Sequence, residues 1–253
     1  MAGHSKWAQI KHKKAAIDAK RGRLWTRLVR EVMVASRLGG GDPEGNARLR
    51  SAIEDAKAAN VPNDTIDRAI KKGTGELEGA SYEEISYEGY APGGVAVLVE
   101  TMTDNRNRTV AELRHLFSKN GGNLGDSGCV AWMFDRRGLF VIDRSAMDEE
   151  ALMDLALAVG VEDFSVEDEG YELHSSVDDY ARVRGELERR AVPLEVAQLA
   201  MIPQTWMAAE DADAEARALR LIEAVEEHDD VQNVWTNLET READESVLAA
   251  QAG

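Results

Sequence analysis

Residues 138–201 read GLFVIDRSAMDEEALMDLALAVGVEDFSVEDEGYELHSSVDDYARVRGELERRAVPLEVAQLAM. The hydrophobic period switches four times along this stretch. An apolar run at 139–142 predicts a strand. Leu152, Leu155 and Val159 share one face of a helix over 148–159. Two short alternating runs, 164–166 and 171–173, predict a hairpin over Asp168-Glu169-Gly170. Tyr180, Val183 and Leu187 share a face of a second helix over 177–190, and 194–200 closes as a strand. The order β-α-β-β-α-β is that of a ferredoxin-like unit.

An open β-α-β lies before this unit. Ile85, Tyr87 and Tyr90 mark a half-exposed strand, and Ala91-Pro92-Gly93-Gly94 is turn chemistry. Val95 to Val99 is apolar and rich in β-branched residues, which predicts a central strand covered on both faces. Thr103-Asp104-Asn105 caps a helix over 106–119 with Val110, Leu113 and Phe117 inward; Gly121-Gly122 ends it, and 129–134 is expected as a strand. After Pro203, a helix over 212–227 and a strand over 231–238, with a further strand near 205–207, are expected to complete the open unit. The 138–201 pattern is then an insertion.

Upstream, Trp25, Leu28, Val32 and Ala35 are spaced 3, 4, 3 and predict a helix over 24–38, stopped by Gly39-Gly40-Gly41. A second helix is expected over 46–59 with Leu49, Ile53 and Ala56 inward. Asn63 is the expected cap of a third, over 64–72, with Gly73 in the left-handed position after it. The expected fold class is α+β: an N-terminal three-helix bundle plus two α/β (ferredoxin-like) domains, one inserted in the other. The expected division is a basic arm (1–21), the bundle (22–80), a discontinuous α/β domain (81–136 and 203–240), the inserted ferredoxin-like domain (137–202) and an acidic tail (241–253).

Charge carries the functional clue. Residues 1–40 hold ten Lys and Arg (Lys6, Lys11, Lys13, Lys14, Lys20, Arg21, Arg23, Arg27, Arg30 and Arg37) against Asp18 and Glu31, a net of +8. The whole chain nets −17, so residues 41–253 net −25 (−17 minus +8). A cationic end on an anionic body neutralises phosphates in few orientations. Eight phosphate contacts give a log–log salt slope of about −7 on duplex DNA. Trp7 either docks the arm on the body or stacks on a base.

The 253 residues contain one cysteine, Cys129, so no intrachain disulfide forms. No apolar run reaches the roughly 18–20 residues of a membrane helix. The N-terminus has no apolar core of a secretory signal; a mitochondrial transit peptide is the other reading of its charge, and a cytoplasmic protein is the simpler one. The histidines at 4, 12, 115, 174 and 228 are scattered without zinc-ligand spacing. Gly121–Gly128 follows a helix and lacks Gly-Lys-Ser/Thr, so it reads as a flexible connection or a contact loop, not a phosphate loop. Arg106 and Arg108 stand at a helix N-terminus, where the dipole disfavours cations; they are either ligand contacts or paired locally with Asp104 or Glu112. No catalytic constellation, metal site or cofactor motif stands out.

Several stretches resemble the YebC/PmpR family of probable transcriptional regulators. They are Met1-Ala-Gly-His-Ser-Lys-Trp-Ala-Gln-Ile-Lys-His-Lys-Lys14, Lys20-Arg-Gly-Arg23, Arg68-Ala-Ile-Lys-Lys-Gly73, Tyr87-Glu-Gly-Tyr-Ala-Pro-Gly-Gly-Val95, Thr103-Asp-Asn-Arg-Asn-Arg-Thr109 and Lys119-Asn-Gly-Gly-Asn-Leu-Gly125. The resemblance implies three domains, no cofactor, no enzyme activity, and control of transcription through DNA at promoter regions. Some family relatives act instead on ribosomal or messenger RNA in translation. The residues expected to meet nucleic acid are Lys6, Trp7, Lys11, Lys13, Lys14, Lys20, Arg21, Arg23, Arg27, Arg30, Arg106 and Arg108. The sequence assigns no oligomeric state.

Overall fold

The computed structural model describes residues 21–167 and 170–240. Three helices come first: α1 (Arg21–Gly39), α2 (Ala47–Ala58) and α3 (Asn63–Gly73). Val32 and Ala35 of α1, Leu49, Ala52 and Ala56 of α2, and Ile66 and Ala69 of α3 meet in one apolar core. The Asn46 side chain caps α2 by accepting from Leu49 N–H at 3.0 Å, and its amide donates to the carbonyls of Ala35 and Gly40. One side chain thus closes both ends of the α1–α2 turn.

Two expectations at α3 are corrected. Asn63 is the first helical residue, the cap position falls on Pro62, and no side chain caps the helix. Gly73 is still helical; the left-handed residue is Gly75, at φ 85°. Gly73 serves packing instead. A Cβ there would run into the Met33 carbonyl and the Ser36 hydroxyl, so α3 approaches α1 backbone to backbone only because position 73 has no side chain.

The first sheet has the order β3-β1-β2-β9, built from β1 (Glu83–Ala91), β2 (Val95–Thr103), β3 (Asn123–Leu124) and β9 (Val231–Thr236). β1 and β2 form an antiparallel hairpin around Pro92–Gly94. Helices α4 (Arg106–Lys119) and α7 (Ala212–Glu226) cover one face, burying Leu113, Phe117, Ala218, Leu221 and Val225 on Val95, Val97 and Val99. The second sheet has the order β5-β6-β4-β7: β4 (Phe134–Asp143), β5 (Asp163–Val166), β6 (Gly170–Ser175) and β7 (Val196–Pro203). All its neighbours are antiparallel, the ferredoxin-like arrangement. Helices α5 (Glu149–Val159) and α6 (Tyr180–Arg189) cover its outer face through Leu152, Leu155, Val183 and Leu187. Short β8 (Met207–Ala208) and β10 (Leu238–Glu239) pair in parallel.

The two sheets pack back to back. Ala96, Leu98 and Trp235 of the first meet Leu139, Val141 and Ala200 of the second. Alternation along β2 explains why Val95–Val99 reads as one apolar run: odd positions face helices and even positions face the other sheet. Complete burial of a side chain such as Phe117 or Phe140 contributes about 1.5–3 kcal/mol.

The expected strand at 129–134 does not form. Ala131–Met133 is a 3₁₀ turn, and Phe134 opens β4, which runs through to Asp143 as one long strand. Asn123–Leu124 instead adds an edge to the first sheet beside Gly89 and Tyr90. Among the described residues, no helix is long and apolar enough to cross a membrane.

Candidate nucleic-acid interface

Six of the expected contact residues, Lys6, Trp7, Lys11, Lys13, Lys14 and Lys20, lie outside the described residues, and Arg21 opens α1. The next three cations are engaged within the protein. The C-terminal end of α7 presents carbonyls without intrahelical partners. Arg23 donates to the Glu227 carbonyl at 3.1 Å, Arg27 to that of Glu226, and Arg30 to that of Asp229. Spacings of 4 and 3 along α1 put these guanidiniums on one face. The negative end of the α7 dipole suits them. Burial lowers the Arg27 pKa, with Glu226 opposing and the neighbouring Arg23 and Arg30 adding to the effect.

Arg30 reaches further, to a buried centre that sequence reasoning missed. Asp230 is 3% exposed at its side chain and lies 3.3 Å from Arg30, itself 12% exposed. Its Oδ2 accepts from Arg108 at 2.7 Å and from the hydroxyls of Thr109 at 2.7 Å and Thr103 at 3.1 Å. Burial pushes the Asp230 carboxyl up, but Arg108, Thr109 and Thr103 outweigh it and hold the group below the ordinary carboxylate range. The Thr103–Thr109 motif is therefore largely internal machinery. Asn105 caps α4 by accepting from Arg108 N–H at 3.1 Å. Arg108 pairs with Asp104 at 3.0 Å as well as with Asp230, whereas Glu112 takes His228 at 2.7 Å. Arg106, by contrast, is exposed and has no ion pair among the described residues.

A second missed carboxylate organises the glycine-rich loop. Glu88 is buried in β1 and accepts from the backbone N–H of Gly128 at 2.6 Å and of Val130 and Ala131 at 2.7 Å. Burial raises its pKa, and the three N–H groups more than reverse the shift. The connection over Gly121–Gly128 is thus anchored at its last residue, and the stretch after it at Val130 and Ala131. Trp132, at its end, is 68% exposed, its indole N–H on the Cys129 carbonyl. Burial and the nearby Glu88 raise the Cys129 thiol pKa, against a reactive thiolate.

The bundle carries further cations. Arg48 bridges Glu31 at 2.7 Å and Glu84 at 2.6 Å, and Arg184 of α6 takes Asp55 of α2 at 3.0 Å, so both tie the bundle to the sheets. Arg68, Lys71 and Lys72 of α3 are exposed and have no carboxylate partner among the described residues. Among those residues no group of three His, Cys, Asp or Glu is arranged to hold a metal ion.

The family model described as the TACO1/YebC protein N-terminal domain matches residues 5–76. The model described as the TACO1/YebC second and third domain matches residues 82–238. A "probable transcriptional regulatory protein" of Pelotomaculum thermopropionicum is 58% identical over 241 residues, 94% of this chain and 99% of its own. Another, from Syntrophobacter fumaroxidans, is 52% identical over 239 residues, 94% of this chain and 96% of its own. The crystal structure of a conserved hypothetical protein from Aquifex aeolicus superposes with a TM-score of 0.86 at 50% identity, covering 95% of this chain and 99% of that one. The two models together span both the helical bundle and the paired sheets, and the chain belongs to the TACO1/YebC family.

Proposed function

We propose that this protein is a non-catalytic transcriptional regulator that grips DNA phosphates through its basic N-terminal segment. The observation that carries the proposal is the charge division, +8 over residues 1–40 against −25 over the rest. The names of the relatives, probable transcriptional regulatory proteins, favour DNA over RNA as the partner. The α1 arginines refine the division of labour. Arg23, Arg27 and Arg30 hold the end of α7, so phosphate contact falls to Lys6, Lys11, Lys13, Lys14, Lys20 and Arg21, with Arg106 as an exposed cation at the start of α4.

Seven contacts correspond to a log–log salt slope of about −6 on duplex DNA, compared with about −9 if the three α1 arginines also engaged. The test is a salt titration of promoter-duplex binding by fluorescence anisotropy, run beside ribosome co-sedimentation at the same salt. Loss of duplex binding on deleting residues 2–21 is expected. Unchanged binding by the deleted protein, or ribosome binding without duplex binding, overturns the proposal.

A further inference from the structure

Between α1 and α3 lies a groove of about 160 Å³, lined by Val29, Met33, Thr65, Arg68, Ala69 and Lys72. Its floor is apolar and its α3 rim is cationic. Positions 65, 68, 69 and 72 follow the i, i+3, i+4, i+7 spacing of one helical face, so the Thr65 hydroxyl and the two cations line the same edge. The Arg68 Nε donates to the Asp64 carbonyl at 3.2 Å, which fixes the stem and leaves the terminal nitrogens uncommitted among the described residues. The Lys72 methylenes pack against Gly79, where an added Cβ would lie 3.1 Å from Lys72 Cδ. That contact steadies the stem of an exposed ammonium.

In a chain of net −17, two exposed cations without carboxylate partners among the described residues, beside a hydroxyl and an apolar floor, are suited to an anion carrying an apolar body. The groove is too small for a duplex and large enough for one sugar–phosphate unit. Its α1 wall, Val29 and Met33, continues the helix that residues 1–20 lead into. We infer that the α1–α3 groove seats the sugar–phosphate backbone of one strand of duplex DNA, the phosphate on Arg68 and Lys72 and the deoxyribose on Val29 and Met33. This rests on the DNA-binding reading above and extends the contact surface from the arm onto the bundle.

The test compares the full chain with R68Q/K72Q and with R50Q/K57Q. The second pair removes the same charge from exposed positions of α2 outside the groove. Both substitutions are on the surface, and circular dichroism checks that the fold is kept. R68Q/K72Q is expected to make the salt slope on duplex DNA shallower by about 2 and to weaken binding roughly 60-fold at 100 mM salt, at about 0.9 log per contact per decade of salt. R50Q/K57Q is expected to change the slope by less than about 1. Equal effects of the two pairs overturn the groove, as does an effect on single-stranded RNA without one on duplex DNA. Intact binding by R68Q/K72Q, with binding lost on deleting residues 2–21, overturns the groove and leaves the arm standing. Intact binding by both proteins overturns the arm as well.

Discussion

Replacing Asp230 by Asn tests whether one buried carboxylate holds the bundle, α4 and the first sheet together. The substitution keeps the volume and removes the charge. Arg30, 12% exposed, would keep a cation facing a neutral amide. The Thr103 and Thr109 hydroxyls would lose a charged acceptor. Breaking a buried pair from one side costs about 3–5 kcal/mol. Arg108 is 42% exposed and keeps Asp104, so water and that neighbour recover most of its share. The expected loss is about 3 kcal/mol, a large part of a typical total of about 5–15. Urea unfolding at pH 7 reads it directly.

The pH dependence gives a second reading of the same change. The folded Asp230 carboxyl titrates below its unfolded value of about 3.9. Its contribution is thus complete above that value and is lost as pH falls through the folded one. The stability gap between the wild-type protein and D230N should therefore narrow on acidification from pH 5. A loss under about 1 kcal/mol at pH 7, or a gap unchanged down to pH 3, would refute the reasoning.

Glu88→Gln halves the acceptor capacity offered to Gly128, Val130 and Ala131; about 2 kcal/mol should be lost, and hydrogen exchange at those amides should rise at least about tenfold while amides of α5 stay unchanged. Because the Glu88 pKa is also depressed, that protection should persist above the ordinary carboxylate range and fall away below it in the wild-type protein. Gly73→Ala should lower stability by about 1–3 kcal/mol, because the methyl meets backbone and not a movable side-chain tip. Gly22→Ala, with open space around it inside α1, should raise stability by roughly 0.5–1 kcal/mol, and thermal melts of the two variants should move in opposite directions.

Local periodicity made most of the fold legible. Trp25, Leu28, Val32 and Ala35 needed only a 3.6-residue repeat to reveal α1, and residues 138–201 needed only the alternation of two periods. The misread strand came where a distant group overrode a local preference. Val130, Ala131, Trp132 and Met133 look like a strand, but the Glu88 carboxylate takes the N–H groups a ladder would use. The site was less legible for the same reason. Arg27 finds its carbonyl 199 residues away, and Arg108 its buried carboxylate 122 residues away. No spacing rule links such positions. The misplacement of Arg108 at the start of α4 was the one local sign that something far along the chain was pulling on it.

The interrupted course of the first sheet has a consequence for vectorial synthesis. β2 acquires its neighbour β9 only after the whole second sheet and α7 have been made. During translation the 134–203 unit can close while the earlier hairpin still waits for residue 231. The guanidiniums of α1 wait equally long, since the carbonyls they cap belong to residues 226–229. A nascent chain halted before that point lacks both a wall of its first core and the carbonyls that hold Arg23, Arg27 and Arg30, so premature termination should yield a sticky fragment and not a smaller working protein.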